Sequence, residues 1–376
     1  MTVEMPARTV TMDDIAAAAG VSKYAVSKAL SGQPGVSEQT REKILRIAAE
    51  LGYFNQQRVK RKYQRAADGG QPPAQTGSKR NKKSVMVLMS NIRMQSVHSS
   101  YWGRIIDGIH DALTQQGLPV FIATDTLEEH LAEVINSHRL FGAIVVGAIS
   151  SAMLLTVRRM DVPVVMVDHE DPSFPCDTVF VDNLDAAYRM TSYLIETGHR
   201  HLQFVGDAHF SRSFQERWLG FRLALEEHGL AVEEDPRLQH ISPLMDGRDR
   251  SVLKEVLHER SMRSAENGTA AAWVCANDKI ALGVLDICRS LDIRVPEQLS
   301  ITGFDNIVEA EQATPSLTTV HVPKDDLGRR AVEMLLRRAQ RPDAPKERVS
   351  LRAESVHRQS VASVHAHAEP EPVAGG

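Results

Sequence analysis

Four polar residues come immediately or shortly after short apolar runs of the chain. Asp168 follows PVVMV, Asn277 and Asp278 follow AAWVC, and Asp305 follows LSITGF. If these runs are parallel strands, their carboxyl ends lie where such sheets bind ligands. Arg217 starts a helix turn near the end of a further run, LQFVG. Carboxylates, an amide and a guanidinium suit the hydroxyl groups of a sugar, so the pattern predicts a small-molecule site.

A second set of polar residues lies near the N-terminus, in the run VSKYAVSKAL. Ser22, Lys23, Tyr24, Ser27 and Lys28 fall on or near the exposed face of a predicted helix. Free N–H groups and the helix dipole favour phosphate at its start, and hydroxyls and lysines can reach phosphates and base edges. The pattern predicts a DNA-reading helix. An ordinary three-helix domain with a solvated polar face remains the alternative.

Three short helices account for this N-terminal segment. In the first, Thr11 is a candidate cap with Asp14 in capping-box position, Ile15 and Ala18 form an apolar face, and Gly20 ends the helix. Ser22 caps a second helix through about Leu30, and Ser37 caps a third that stops at Gly52. Small side chains between the first two helices allow the close crossing of a helix-turn-helix: Ala16, Ala17 and Ala19.

Charge is distributed unevenly along the 376 residues, whose formal net charge is −4. Residues 1–83 contain 15 Lys and Arg against 7 Asp and Glu, so the rest of the chain is acidic. Residues 55–83 alone contain 9 Lys and Arg and 1 Asp, with GG and PP in their middle. This composition predicts a flexible basic linker, and a basic end on an acidic body indicates a polyanionic partner.

From Ser84 onward, apolar strand runs alternate with amphipathic helices. One round extends from VMVLM to PVVMV, and a second round extends from DTVFV to LSITGF. Such alternation predicts parallel sheets covered by helices on both faces. Two rounds indicate two similar subdomains with a cleft between them. The C-terminal HAHAEPEPVAGG has the composition of a disordered tail.

Several classes of protein are disfavoured by the same sequence. The three cysteines are scattered and lack CxxC spacing, which argues against a disulfide framework or a zinc site and favours a reducing cytoplasm. The N-terminus has no apolar signal region, and the most apolar run, FGAIVVGAI, is too short to span a bilayer. No catalytic triad order, paired-carboxylate motif or phosphate-binding loop is present, so we expect no enzyme activity, cofactor or metal.

Residues 10–53 resemble the headpiece of the lactose-repressor (LacI/GalR) family of bacterial transcription regulators. The runs TMDDIAAAAGVSKYAVSKALSG and VSEQTREKILRIAAELGY carry this resemblance in both spacing and residue type. It implies that Lys23, Tyr24 and Lys28 read bases, and that a further set lies near phosphates: Thr11, Ser22, Ala25, Ser27 and Ser31. The third base-reading residue is usually arginine, and lysine cannot form the same planar fork to guanine.

The sequence departs from the family after Tyr53, where a Pro-Asn and a hinge helix with a leucine wedge usually follow. This chain reads Tyr53-Phe54-Asn55-Gln56 and has Lys62 where the leucine would fall. We therefore expect no leucine-wedge kink in the DNA. The basic linker is expected to add non-specific phosphate contacts, so deletion of Lys60–Lys62 should weaken binding to all DNA alike and flatten its salt dependence.

Residues 84–360 resemble the family's periplasmic-binding-protein-like sensor. The order of VDNLDAAYRMTSYLIETGHRHLQFVG, ERWLGFRLAL, ANDKIALG, SITGFDN and TPSLTTV carries this resemblance. It implies that Asp168, Arg217, Asn277 and Asp305 approach an effector, and it places Tyr101 and Trp102 as an aromatic pair after the first strand. We add Asp278 to this candidate effector site. The loop SPLMDGRDR has no aromatic residue where many relatives have one.

Simpler interpretations of individual residues stay open. Asp278 could be a helix cap, Asp305 a turn residue, and Tyr101 and Trp102 ordinary core packing.

These observations predict an α/β protein with an all-α helix-turn-helix headpiece and a sensor of two doubly wound parallel-sheet subdomains. The expected divisions are a headpiece at 9–54, a linker at 55–83, an effector-binding and dimerisation domain at 84–362 and a disordered tail at 363–376. The resemblance implies a cytoplasmic homodimer that binds a near-palindromic operator, most simply as a repressor, and that responds to a small molecule, a sugar or sugar derivative. A transport solute-binding protein or a sugar-acting enzyme would be the competing classes.

Overall fold

A computed structural model describes residues 12–30, 40, 43–44, 47, 83–89, 100–123, 139–232, 235–267 and 271–363. The predicted linker up to residue 82, the helix predicted between PVFIA and GAIVV, and the predicted tail beyond residue 363 lie outside these residues. The chain divides into two compact units, Met1–Ser78 and Lys79–Gly376.

The first unit contains helices α1 (Met12–Ala19) and α2 (Lys23–Leu30). Gly20 has a φ of +67°, and the N–H of Val21 donates to the Ala16 carbonyl at 3.1 Å. The Ser22 hydroxyl accepts from the N–H of Ala25 at 3.2 Å. These contacts confirm that Gly20 ends the first helix and that Ser22 caps the second, because glycine adopts a left-handed conformation at low cost and serine satisfies a free helical N–H.

The buried face of α1 differs from the prediction. Ile15, Ala16 and Ala19 are buried, whereas Ala17 and Ala18 are exposed. Steps of three and four residues define one face of a helix, and the buried set follows such steps from Ile15 and Ala16 to Ala19. Val26 of α2 and Ile44 complete this small core, with Val21 and Ile47 packed against it. Of the third predicted helix, only residues 40, 43, 44 and 47 are described, all of them helical.

The second unit begins with a six-stranded sheet whose neighbouring strands are all parallel. The strand order is β10-β5-β4-β3-β1-β2. The strands are β1 (Ser84–Met89), β2 (Val120–Ala123), β3 (Leu140–Val146), β4 (Val164–Val167), β5 (Asp177–Val181) and β10 (Arg348–Leu351). Three described helices belong to this first lobe: α3 (Trp102–Gln115), α4 (Ser151–Arg158) and α10 (Lys324–Gln340).

Both faces of this sheet are covered. Val85 and Val87 of β1 lie in one hydrophobic cluster, and Met86 and Leu88 lie in another. Successive side chains of a strand point to opposite faces, so a continuous apolar run is what a doubly covered parallel strand requires.

A second lobe is built on a three-stranded parallel sheet of order β6-β7-β8. Its strands are β6 (His201–Val205), β7 (Ala271–Cys275) and β8 (Leu299–Thr302). Its helices are α5 (Asn183–Glu196), α6 (Arg212–Glu227), α7 (Gly247–Asn267), α8 (Asp278–Ser290) and α9 (Val308–Gln312), with a 3₁₀ turn at Leu238–His240. A short antiparallel pair, β9 (Thr319–His321) and β11 (Glu354–Val356), lies near the points where the chain changes lobe.

Helix α10 is held very close to α3. A Cβ on Gly108 would lie 2.1 Å from the Asp325 carbonyl oxygen, and a Cβ on Gly328 would lie 2.3 Å from the Ile105 carbonyl oxygen. Only glycine permits such a close backbone approach, so the start of α10 is fixed against the first lobe. No helix in the described part of the chain has the length and apolar character to cross a membrane.

Candidate functional site

A cavity of about 230 Å³ lies at the carboxyl ends of strands from both lobes. Six of the seven residues predicted to bind a small molecule line it: Tyr101, Trp102, Asp168, Arg217, Asn277 and Asp305. The strand-end pattern therefore brings together residues that are more than 200 positions apart in the sequence.

Asp168 occupies the end of β4, where its backbone has a φ of +53°. Its Oδ1 accepts from the Ser213 hydroxyl at 2.5 Å, and its Oδ2 accepts from the Tyr101 hydroxyl at 3.3 Å. Burial raises the pKa of the Asp168 carboxyl, although Ser213 and Arg217 oppose that rise. The carboxylate thus connects the first lobe to the N-terminal turn of α6 in the second.

Arg217 is a buried residue of α6. Its Nε donates to Asn183 Oδ1 at 2.9 Å, its Nη1 donates to the Ala276 carbonyl at 2.7 Å, and its Nη2 lies 3.4 Å from Asp305 Oδ1. The guanidinium also stacks over the Phe304 ring, 3.7 Å from the ring centroid. These partners satisfy most of the donors and fix the guanidinium plane, as a buried arginine requires.

Asp305 lies in the turn after β8, with a φ of +117°. Its Oδ1 is buried and, within the described residues, has no hydrogen-bond partner, because the 3.4 Å approach of Arg217 is an ion pair without hydrogen-bonding geometry. Burial raises the pKa of Asp305 to about 6, and the positive charges of Arg217 and Lys324 limit the rise. A buried oxygen of this kind in a cavity wall is free to accept from a ligand.

Asn277 and Asp278 have different roles in the structure. Asn277 is the N-cap of α8, its Oδ1 accepting from the Ile280 N–H at 3.0 Å, and it lines the cavity. Asp278 does not line the cavity. It is fully buried behind the wall, where it accepts from the Ile307 N–H at 2.9 Å and from the Thr319 hydroxyl at 2.5 Å.

The environment of Asp278 keeps its carboxyl protonated at neutral pH. Burial and the nearby charge of Asp305 raise the pKa of Asp278 to about 8. Successive helical residues point about 100° apart. Asn277, the helix cap, faces the cavity. The side chain of Asp278 therefore points in another direction, towards Thr319 and Ile307.

Aromatic rings line the cavity from both lobes. Tyr101 and Trp102 form a T-shaped pair with centroids 4.8 Å apart. Opposite them, Phe210 and Phe214 come from the segment that leads into α6, with centroids 5.2 Å apart. The loop at residues 242–250 contains no aromatic residue, and among the lining residues of the cavity it contributes Pro243. The sequence reasoning missed both phenylalanines, although HFSRSF follows the LQFVG strand and the strand-end rule could have identified it.

Charged residues join the two lobes at the cavity rim. Arg212 of α6 pairs with Glu170, which follows β4, and its Nε lies 2.9 Å from Glu216. Arg348 of β10 donates to Glu216 at 2.6 Å. His169 lies beside this set, and its buried Nε2 has no hydrogen-bond partner within the described residues. Burial lowers the pKa of His169, so its imidazole is neutral near pH 7.

The predicted DNA-reading residues that are described lie on α2 and at its N-terminus. Ser22, Lys23 and Tyr24 are exposed, Tyr24 to 70%, whereas Ala25 and Lys28 are half-buried. Lys28 Nζ lies 4.9 Å from the centroid of the Tyr24 ring, a cation–π contact that pairs two of the predicted base readers. Thr11, Ser31 and the side chain of Ser27 lie outside the described residues.

Two family profiles match this chain. The profile described as bacterial regulatory proteins, lacI family, matches residues 11–56, and the profile of the periplasmic binding protein-like domain matches residues 191–361. The HTH-type transcriptional repressor PurR of Vibrio campbellii (strain ATCC BAA-1116) is 28% identical over 363 residues, which cover 93% of this chain and 98% of PurR.

Solved structures of similar fold span almost the whole chain. A transcriptional regulator CelR–cellobiose complex has a TM-score of 0.62 and 24% identity, covering 93% of this chain and 99% of that one. A lac repressor dimer bound to operator and an anti-inducer has a TM-score of 0.59 and 22% identity, covering 94% of this chain and 100% of that one. At these identities the likeness establishes the fold.

Proposed function

We propose that this chain, whose residues 11–56 match the lacI family of bacterial regulatory proteins, represses transcription from a near-palindromic operator under control of a small molecule in the cavity. The family consists of transcriptional regulators with an effector-binding domain, not of enzymes. The single observation that supports effector control most strongly is the buried Asp305 Oδ1 in the cavity wall, which is ion-paired with Arg217 but has no hydrogen-bond partner among the described residues.

We keep the divisions at 9–54, 55–83, 84–362 and 363–376 as part of this proposal. The boundary between the two compact units, after Ser78, falls within the proposed linker. A DNA-binding regulator acts where the chromosome is, so we place it in the cytoplasm. Two headpieces are needed to read a two-fold site, so we propose a homodimer. The operator-bound lac repressor dimer, which shares this fold, supports that assembly.

Operator reading is assigned to the exposed start of α2. Lys23, Tyr24 and Lys28 are proposed to contact base edges, and the Ser22 cap leaves the N-terminal amides of the helix facing a phosphate. The Lys28 ammonium already rests against the Tyr24 ring, so the two side chains would enter the major groove as one unit. The remaining phosphate contacts proposed from the sequence are Thr11, Ala25, Ser27 and Ser31.

The chemistry of the cavity favours a neutral, polyhydroxylated effector, which is to say a sugar or sugar derivative. Both arginines that line it already have carboxylate partners, so an anion would have to break an ion pair to reach a guanidinium. Asp168 and Asp305 instead offer acceptor oxygens to hydroxyl donors. Trp102 and Phe214 provide rings for the apolar face of a pyranose, an arrangement common in small-molecule sites.

The effector assignment is tested with Asp305→Asn, which keeps the shape of the side chain and removes its charge. Isothermal titration of a panel of neutral mono- and disaccharides should identify a sugar that binds the wild-type protein, and the variant should bind that sugar at least ~10-fold more weakly, since a lost charged hydrogen bond costs about 1.5–3 kcal/mol.

Asp286→Asn, an exposed position on α8, is the matched control and should bind like the wild type. Equal sugar affinity for the Asp305→Asn and control variants would remove Asp305 from the effector site. If no neutral sugar binds while sugar phosphates do, the proposed effector class is wrong.

Base reading is tested with Tyr24→Ala. Loss of a base contact costs about 1–3 kcal/mol, so affinity for the operator should fall by roughly 10- to 100-fold while affinity for unrelated DNA changes little. Lys43→Ala, an exposed basic position outside α2, serves as the control. Equal losses on both DNAs would show that Tyr24 does not read bases.

A further inference from the structure

The Asp305 turn has a backbone that needs external support. Asp305 and Asn306 both have positive φ values, +117° and +50°, although neither is glycine. Consecutive residues in this region of conformational space persist only where the surrounding structure holds them, and such positions cluster at ligand sites. The contacts around the turn therefore decide whether Asp305 Oδ1 faces the cavity.

Lys324 supports the main-chain carbonyls of the turn, while the Asp305 N–H donates to the Val320 carbonyl at 2.9 Å. The Nζ of Lys324 donates to the carbonyl oxygens of Asp305, Asn306 at 3.2 Å and Val322 at 3.3 Å. An ammonium group has three N–H donors, and three carbonyl acceptors match them. The residue is buried, and it is the first residue of α10, whose close packing on α3 fixes its position.

Other contacts hold a different part of the turn. Arg358 Nη2 donates to Asn306 Oδ1 at 2.9 Å, and His321 Nδ1 lies 3.1 Å from Asn306 Nδ2. These two contacts fix the Asn306 side chain, whereas Lys324 binds the peptide carbonyls of both residues. Lys324 also lies over the Tyr101 ring, 5.9 Å from its centroid, so it stands between cavity walls of the first and second lobes.

We propose that Lys324 is the positioning residue of the effector site: it holds the Asp305 turn in its left-handed conformation and keeps the Asp305 carboxylate ionised and aimed into the cavity. This inference rests on the proposed effector function of Asp305. Lys324 touches no ligand and acts through the main chain and the charge of Asp305, so it joins the start of α10, where the chain returns to the first lobe, to the Asp305 turn.

The ammonium has an electrostatic consequence that a purely structural residue would not have. A nearby positive charge favours the ionised carboxylate, and Lys324 lowers the pKa of Asp305 against the effect of burial. The charged and titratable groups that face Asp305 are Arg217 of α6, Lys324 of α10, Asp168 after β4, Lys279 and Asp278 of α8, and Tyr101 before α3. With the others unchanged, removing the ammonium should raise the pKa of Asp305.

The test is a ¹³Cγ NMR titration of aspartate-labelled full-length protein without any ligand, with Asp305→Asn used to assign the resonance. The Asp305 midpoint should lie near 6 in the wild type. It should rise by at least about one pH unit in Lys324→Met and stay near the wild-type value in Lys324→Arg, which keeps the charge. An unchanged midpoint in Lys324→Met would overturn the proposal.

A second measurement needs no variant and covers the case in which Lys324→Met fails to fold. The ¹⁵Nζ resonance of the buried Lys324 ammonium in the wild type should shift with pH at the same midpoint as Asp305 ¹³Cγ. A Lys324 resonance that does not change across that midpoint would contradict the contact. Neither titration uses a sugar, so the two proposals fail separately. If no sugar binds, the proposed effector class is wrong and the titration result is unaffected. If the Asp305 midpoint does not change, the role of Lys324 is wrong and the effector class is unaffected.

Discussion

Two arginines of the same helix show how burial changes what an ion pair does. Arg212 and Arg217 are five residues apart on α6, and each pairs with a carboxylate across the cavity region. The Arg212 side chain is 46% exposed and lies at the cavity rim with Glu170. The Arg217 side chain is 4% exposed and, with Asp305, forms the buried end of the cavity, which we call the floor. Water competes with the Arg212–Glu170 ion pair and is excluded from the Arg217–Asp305 ion pair.

The floor and the rim are therefore expected to serve different purposes. Breaking a buried pair leaves an uncompensated charge and costs about 3–5 kcal/mol, whereas exposed pairs are worth about 0–1 kcal/mol. Arg217 is in addition held by Asn183 and the Ala276 carbonyl, so its geometry is preset before a ligand arrives. The floor provides a fixed recognition surface, and the rim provides a weak, salt-sensitive link between lobes.

The largest effect is expected for Arg217→Met. The variant keeps most of the side-chain volume but removes the guanidinium that pairs with the buried Asp305 and bonds to Asn183 and the Ala276 carbonyl, so the free energy of unfolding should fall by about 3–5 kcal/mol in urea denaturation. Addition of Asp305→Asn should recover part of that loss, because the neutral amide needs no counter-charge. If the free energy of unfolding of Arg217→Met fell by less than about 1 kcal/mol, the buried and exposed ion pairs would not differ in their contribution to stability.

A pH-dependent effect, of up to about 1.4 kcal/mol for each pH unit, is expected for Asp278, the buried carboxyl behind the cavity wall. Its pKa is raised to about 8 in the folded protein from 3.8 in the unfolded chain, so the folded state holds a proton that the unfolded state releases. Stability from this group is fully present below pH 3.8 and is lost as pH rises towards and through about 8, at no more than about 1.4 kcal/mol per pH unit.

Asp278→Asn cannot ionise, so its stability relative to the wild type should rise between pH 5 and pH 8. Urea denaturation of both proteins across this range measures the difference, and Asp286→Asn on the exposed face of α8 is the control. Parallel pH profiles for Asp278→Asn and the wild type would mean that Asp278 is not protonated in the folded protein.

The smallest effect is expected at the rim. Arg212→Gln should change the free energy of unfolding by no more than about 1 kcal/mol, because its pairs with Glu170 and Glu216 are exposed to water. The difference from wild type should shrink further in 1 M salt, where the Debye length is about 3 Å. A loss as large as that of Arg217→Met would show that the rim is a structural element equal to the floor.

The sequence predicted the strands well because their signal is local, but it assigned DTVFV to the second round of the chain, whereas this strand, β5, lies in the sheet of the first lobe. Short continuous apolar runs such as VVMV of β4 are typical of strands with both faces covered, and their ends locate Asp168, Asn277 and Asp305 without knowledge of any contact. The orientation of side chains on helices was harder to predict. Asp278 points behind the wall because Asn277 takes the cap.

Partners from distant segments were not predictable in the same way. Ser213 and Asn183 hold Asp168 and Arg217. Both lie in segments that follow strands, β6 and β5, but that position does not show which side chain each one contacts. In the sequence, Lys324 is likewise indistinguishable from an ordinary first-turn residue of a helix. Only the packing of α10 on α3 shows that its ammonium reaches the Asp305 turn. Local patterns identify the residues proposed to meet a ligand, whereas tertiary packing identifies those that support them.

The proposed function requires that this chain bind a specific DNA site and that a neutral ligand in the cavity change its affinity for that site. Fluorescence anisotropy of the full-length protein should be measured on DNA flanking its own gene and on a scrambled duplex, at two salt concentrations, with and without the sugar that binds best. Binding to the flanking DNA should be tighter at both salt concentrations, and that affinity should shift on addition of sugar. Equal affinity for the two DNAs, unchanged by sugar, would contradict it.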